Sequence, residues 1–86
     1  MNVEFTARFL RALDELPPRE QAAVLRAVDR AQENRRHPSL QTKRIQGTSG
    51  IWEMRASRDL RLTFTLGEDR LTFRMCGHHD DALRQP

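Results

Sequence analysis

Apolar and polar residues alternate most regularly between Leu60 and His78. Leu60, Leu62, Phe64 and Leu66 take every second position, and so do Leu71, Phe73 and Met75. Strand side chains point to opposite faces with a period of two, so each set shares one face of a sheet. Arg61, Thr63 and Thr65, followed by Thr72, Arg74, Cys76 and His78, fall on the other face. Residues 51–56 continue the pattern, with Trp52 and Met54 toward a core and Glu53 and Arg55 outward. Gly67 to Arg70 supply a hairpin loop that sets Leu66 opposite Leu71 and Arg74 opposite Thr63. The turn Ser57-Arg58-Asp59 likewise sets Ala56 opposite Leu60 and Arg55 opposite Arg61.

Upstream the apolar spacing turns helical. Residues 2–6 form a short first strand with Val3 and Phe5 on one face, and Thr6 caps a helix from Ala7 to Leu16. Its apolar stripe is Phe9, Leu10, Leu13 and Leu16. Pro17-Pro18 ends that helix, and Pro18 suits the first turn of a second helix reaching about Gln32. Ala22, Leu25 and Val28, with Val24 and Ala31, are its buried side. So short a connection predicts an antiparallel helical hairpin laid over the sheet. Asn34 to Ser49 is a polar connector anchored by Leu40 and Ile45, with turns at Gly47 and Gly50. After His79 the remaining residues predict one helical turn or a frayed tail. The expectation is a single α+β domain over residues 1–86.

Length limits that domain to one modest core, since a chain this short buries roughly 60% of its unfolded-state surface. No apolar run is long enough to span a membrane, and the first residues show no secretory signal, which predicts a cytoplasmic protein. The single cysteine, Cys76, excludes an internal disulfide. Charge is distributed unevenly. Residues 1–33 carry five arginines against six acids, whereas residues 34–86 carry nine arginines and one lysine against six acids. Such a basic half favours a polyanionic partner, either nucleic acid or an acidic protein that imitates it.

The candidate chemistry lies on the charged sheet face. Directly opposed arginines repel, so Arg55 facing Arg61 is a poor choice for stability alone. With Arg74 and His78 on the same face, a phosphate site is the preferred reading over a merely solvated surface. His37, ahead of Pro38, reads as a loop residue, and Trp52 as core, with base stacking open to it if exposed. No cofactor or metal is expected, because neighbouring strand histidines point apart and no third ligand accompanies them.

The order of elements and several short motifs resemble the RelE/ParE toxin superfamily. FTARFLRALDELPPREQAAVLRAVD is similar to its opening strand and helical pair, HPSLQTKRIQG to its basic connector, and IWEMRASRDLRLTF to its arginine-bearing strands. CGHHDDALR resembles members whose last strand closes on Gly-His-His-Asp. The resemblance implies an N-terminal strand, an antiparallel helical hairpin and a three-stranded antiparallel meander, with the helices on one face of a twisted sheet. It also implies a cognate antitoxin protein, the toxin alone being a monomer that forms higher-order assemblies with it.

Two activities follow from the resemblance. RelE-like members act on the ribosome as mRNA endonucleases, the 2′-hydroxyl attacking the adjacent phosphate. ParE-like members inhibit DNA gyrase, and a non-catalytic relative that binds only RNA or antitoxin is the remaining alternative. For cleavage, Arg61, Arg55 and Arg74 are the clamp candidates, and His78 and His79 the proton carriers. Alternation favours His78, whereas alignment on Gly77 favours His79. Asp80 is placed to orient an imidazole, and Glu53 is a weaker candidate base. Lys43, Arg44, Arg35, Arg36 and Arg58 are the substrate-binding candidates.

Overall fold

The computed structural model describes residues 1–86. They run in the order β1 (Asn2–Phe5), α1 (Ala7–Glu15), α2 (Pro18–Asn34), a 3₁₀ turn (Pro38–Leu40), β2 (Lys43–Arg44), β3 (Ile51–Arg55), β4 (Leu60–Gly67), β5 (Arg70–His78) and α3 (His79–Arg84). All five strands join one sheet in the order β1-β5-β4-β3-β2. β1 lies parallel to β5, and the remaining pairs are antiparallel. The expected meander is therefore present, with β1 added at one edge and β2 at the other. At two residues β2 is too short to show a period, which is why alternation did not announce it.

Thr6 caps α1 as expected, its hydroxyl accepting from the Phe9 amide at 3.0 Å and donating to the Arg74 carbonyl at 3.1 Å. Leu16 and Pro17 are extended, which ends α1 and begins α2 with Pro18 in its first turn. The Gln21 side chain donates to the Leu13 carbonyl at 2.9 Å, closing the C-terminus of α1. Both helices contribute to one core against the sheet: Phe9, Val24, Ala27, Val28 and Ala31 meet Met54, Leu60, Leu62, Phe64, Leu71, Phe73 and Cys76. A file of rings runs through it, from Phe5 through Phe9 and Phe73 to Phe64 and Trp52, with centroid spacings of 5.2, 5.7, 5.9 and 6.5 Å. Each fully buried Phe contributes about 1.5–3 kcal/mol of transfer free energy. None of the helices is long and apolar enough to cross a membrane.

The helix stripes are rotated from their predicted positions. Leu10 is 50% exposed and Leu25 45% exposed, whereas Ala27, which was not expected inside, is buried. Ala22 is only half-buried. Small residues let α2 approach the sheet closely, and the helix turns its alanine and valine side inward while Leu25 faces water. The chain end also differs from a frayed tail. Residues His79–Arg84 form a helix, Ala82 is fully buried, and the Pro86 carbonyl accepts from the Thr63 hydroxyl at 2.9 Å.

The most consequential departure is in β5. Leu66 does pair with Leu71, and the loop tightens to Glu68-Asp69, with Asp69 in the left-handed region at φ 54°. Farther along, Phe64 pairs with Phe73 but Thr63 pairs with Met75, so Arg74 is an extra residue. That is a β-bulge, and it reverses the alternation beyond it. The expected Arg74–Thr63 pair does not form. Cys76 turns into the core instead of joining the arginine face, and Met75, expected in the core, sits opposite Thr63 on the far face. His78 pairs with Leu60, a core-facing position, and so leaves the arginine face as well.

Candidate functional site

The face of the sheet away from α1 and α2 carries the charge that the sequence led us to expect. Arg55 and Arg61 are register partners on β3 and β4. Lys43 on β2 is the partner of Glu53, which in turn faces Thr63. Glu53 is only 6% exposed, and its Oε1 lies 4.0 Å from the Arg61 Nε. A buried carboxylate beside the pair offsets the repulsion between two facing guanidinium groups.

The chain holds these arginines by its own carbonyl groups. One Arg61 guanidinium nitrogen donates to the carbonyls of Ser57, Arg58 and Leu60 at 3.0, 3.1 and 3.1 Å. Arg55 donates to the Ser57 carbonyl at 3.2 Å and to the Gln41 side-chain oxygen at 3.5 Å. The bulge places Arg74 near the chain end, where its Nε donates to the Pro86 carbonyl at 3.3 Å. Five-donor guanidinium groups use some donors for positioning and keep the others for a ligand. Arg58, in the β3–β4 turn, is exposed and contributes its carbonyl to the Arg61 clamp.

The two histidines take different places. His78 Nε2 is 3.1 Å from the Glu20 carboxylate, a contact with α2 on the helical side of the sheet. His79 opens α3, its amide donating to the Asp59 carbonyl at 2.9 Å and its Nδ1 lying 3.2 Å from Asp80 Oδ1. Asp80 thus orients an imidazole, as the sequence suggested, and the imidazole is that of His79. Both histidines line a cleft of about 390 Å³ with Asp59, Asp80, Asp81 and Arg84. Three carboxylates make this corner acidic beside an otherwise basic face.

Three further expected residues lie elsewhere. Arg44 points to the helical side, with its guanidinium 5.9 Å from the centre of the Trp52 ring. Arg35 and Arg36 follow α2 and line a second cleft of about 450 Å³ with His37, Pro38, Gln41, Thr42 and Trp52. Sequence reasoning treated His37 and Trp52 as a loop residue and a core residue, because the approach of β3 to the end of α2 has no local signature. Cys76 is excluded from chemistry: burial pushes its thiol from 9.0 up to about 12, so it stays protonated and unreactive.

Residues 11–78 match the family model described as Phage derived protein Gp49-like (DUF891). No curated protein sequence matches the chain. Among solved structures, the chain is similar to the RelBE2 toxin–antitoxin complex of Mycobacterium tuberculosis, at 22% identity and TM-score 0.76, covering 91% of this chain and 96% of that one. It is also similar to a YoeB/ParE toxin from Agrobacterium tumefaciens, at 16% identity and TM-score 0.75, over 92% and 99% of the two chains. The RelB–RelE complex of Methanococcus jannaschii gives 18% identity and TM-score 0.74, over 91% and 92%. Identities this low speak for the fold, and the match to the family model covers most of the sequence. The chain belongs to the phage-derived Gp49-like family and has the fold of the RelE/ParE toxins.

Proposed function

We propose that this protein is the toxin of a type II toxin–antitoxin pair and acts in the cytoplasm as a ribosome-dependent mRNA endonuclease. The reading is carried by the cross-strand pair Arg55–Arg61, set beside Lys43 on the face of the sheet away from α1 and α2. In this mechanism the RNA 2′-hydroxyl attacks the adjacent phosphorus, and a cyclic phosphate and a 5′-hydroxyl end result. Arg61, fixed by three carbonyls, supplies charge to the phosphorane without reorganising. Arg55 neutralises a second phosphate oxygen, and Arg74 and Lys43 guide the strand. His79, oriented by Asp80, donates a proton to the leaving 5′-oxygen. Glu53 beside Arg61 lies nearest to the clamp as a base for the 2′-hydroxyl. A cognate antitoxin with an acidic segment would cover the same cations.

The competing reading, a non-catalytic relative that binds RNA or antitoxin alone, draws on the carboxylates of Asp59, Asp80 and Asp81 around His79. A gyrase inhibitor finds support only in the fold shared with a YoeB/ParE toxin. Primer extension on mRNA translated in vitro, with and without ribosomes, separates the three. Discrete cuts that require ribosomes and vanish in Arg61→Ala are expected. Intact mRNA from folded, antitoxin-free protein would reject the nuclease.

A further inference from the structure

The cleft after α2 is a second cationic site, and its cations differ from those of the sheet. Neither guanidinium group of Arg35 and Arg36 makes a hydrogen bond or ion pair within the chain. Arginines after a helix can simply complement its negative end. Here, though, it is the Thr42 hydroxyl that bonds the last-turn carbonyl of Arg35, at 2.8 Å, and both guanidinium groups remain unused. No acid lines the cleft, and besides the two guanidinium groups the Gln41 amide and the His37 ring can donate into it. His37 fits this pattern. Its Nδ1 accepts from the Ser39 amide at 3.2 Å, which leaves Nε2 as the ring's donor.

One wall is apolar and rigid. Trp52 is fixed in a cross-strand row, Phe64 on one side at 6.5 Å and 22°, Arg44 on the other at 5.9 Å. Two free cations, the His37 and Gln41 donors and the rim of a Trp52 ring whose faces Phe64 and Arg44 occupy lie within about 450 Å³, which suits a ligand with both a phosphate and an apolar ring. The cleft also adjoins the arginine face, because Gln41 lines it while its oxygen accepts from Arg55. One strand can therefore run from the sheet into the cleft.

We propose that this cleft holds one nucleotide of single-stranded RNA, its phosphodiester on Arg35 and Arg36 and its nucleoside against Trp52, and so anchors the strand beside the Arg55–Arg61 clamp. The ligand class rests on the RNA reading above; the site itself does not depend on cleavage. Single strands fit better than a duplex, whose bases are stacked away from a wall of this kind.

The chain has one tryptophan and no tyrosine, so its intrinsic emission reports on Trp52 alone. The experiment titrates the folded full chain with a short fluorescein-free oligouridylate while recording that emission, and in parallel follows the anisotropy of a labelled copy. A saturable change in Trp52 emission is expected. It should weaken about tenfold or more in the Arg35→Ala/Arg36→Ala double variant, a charge-assisted pair of contacts having been removed. Losing two phosphate contacts should also flatten the log–log salt slope by about 1.4, at about 0.7 per contact on a single strand. Circular dichroism confirms that the double variant is folded.

RNA bound by anisotropy with unchanged Trp52 emission would overturn the proposal, as would no binding by either measure. Polyglutamate that perturbs Trp52 as strongly as RNA would assign the cleft to an acidic protein instead, and an equal response to duplex RNA would remove the single-strand preference. Failure of the nuclease shows up separately, as intact mRNA in the primer-extension assay, and leaves the emission result standing.

Discussion

The two basic regions of this protein hold their cations in opposite ways. On the sheet, Arg61 is clamped by three backbone carbonyls, Arg55 by one and by Gln41, and Arg74 by the Pro86 carbonyl. In the cleft, Arg35 and Arg36 have no partner for either guanidinium group. A fixed cation costs no reorganisation when charge develops, which is what a transition state rewards. A free one adapts to whatever phosphate arrives, which suits ground-state anchoring of a flexible strand. The difference teaches that arginine count alone does not locate chemistry; the number of donors already engaged does.

The largest effect that would test this contrast is at the acidic corner. His79→Ala should slow ribosome-dependent cleavage by about 10²–10⁴-fold, the usual range for losing a proton carrier. His78→Ala should leave cleavage intact, because that ring is engaged by Glu20 on the helical side. Equal losses, measured as single-turnover rates, would return the proton transfer to the pair. Next in size is Arg61→Ala, expected to cost about 10²–10³-fold in rate. Arg61→Lys should recover little of it, since one ammonium cannot satisfy three carbonyls and still fork onto a phosphate. The Arg36→Ala change should instead leave the maximal rate alone and raise the RNA concentration needed to reach it. A rate loss there would erase the distinction between the two regions.

Much of the sheet was legible because alternation is a local rule. Leu66 opposite Leu71 and Arg55 opposite Arg61 follow from turn length and period, and both occur. The bulge at Arg74 was not legible. No glycine or proline marks it, and its carbonyl is taken by Thr6, a residue from the other end of the chain. One unmarked residue was enough to reverse the faces of Met75, Cys76 and His78. The helix stripes erred for a related reason: period gives the width of an apolar face, but contact with the sheet sets its rotation, and that left Leu10 and Leu25 in water. In the site, the clamp was readable as opposed arginines. The cleft was not, because it forms only when β3 brings Trp52 to the residues that follow α2.

A moderate effect is expected from Cys76, which the bulge turns into the core. Burial raises its thiol from 9.0 to about 12. Above 9.0 the unfolded chain releases a proton that the folded chain retains, so stability falls as pH rises from 9.0 toward about 12. The slope reaches about 1.4 kcal/mol per pH unit for one group. Denaturant midpoints on the alkaline side should therefore fall more steeply in the parent than in Cys76→Ala. Parallel curves would mean that Cys76 is not desolvated, and that the bulge does not turn it inward.

The smallest effect bears most directly on how the two regions are supported. The Thr6 hydroxyl caps α1 and also bonds the bulge carbonyl at Arg74. Thr6→Ala removes both bonds at a cost of about 0.5–2 kcal/mol, and Thr6→Ser, which keeps the hydroxyl, should restore most of it. Weakening the bulge loosens the residue that carries Arg74 on the sheet. The cleft lies toward the opposite edge of the sheet, where β2 and β3 meet the residues after α2, and shares none of these bonds. Cleavage should therefore fall modestly in Thr6→Ala, while the response of Trp52 emission to oligouridylate keeps its midpoint. Were both to shift together, the clamp and the cleft would be a single cooperative site, and the division between fixed and free arginines would describe two parts of one surface.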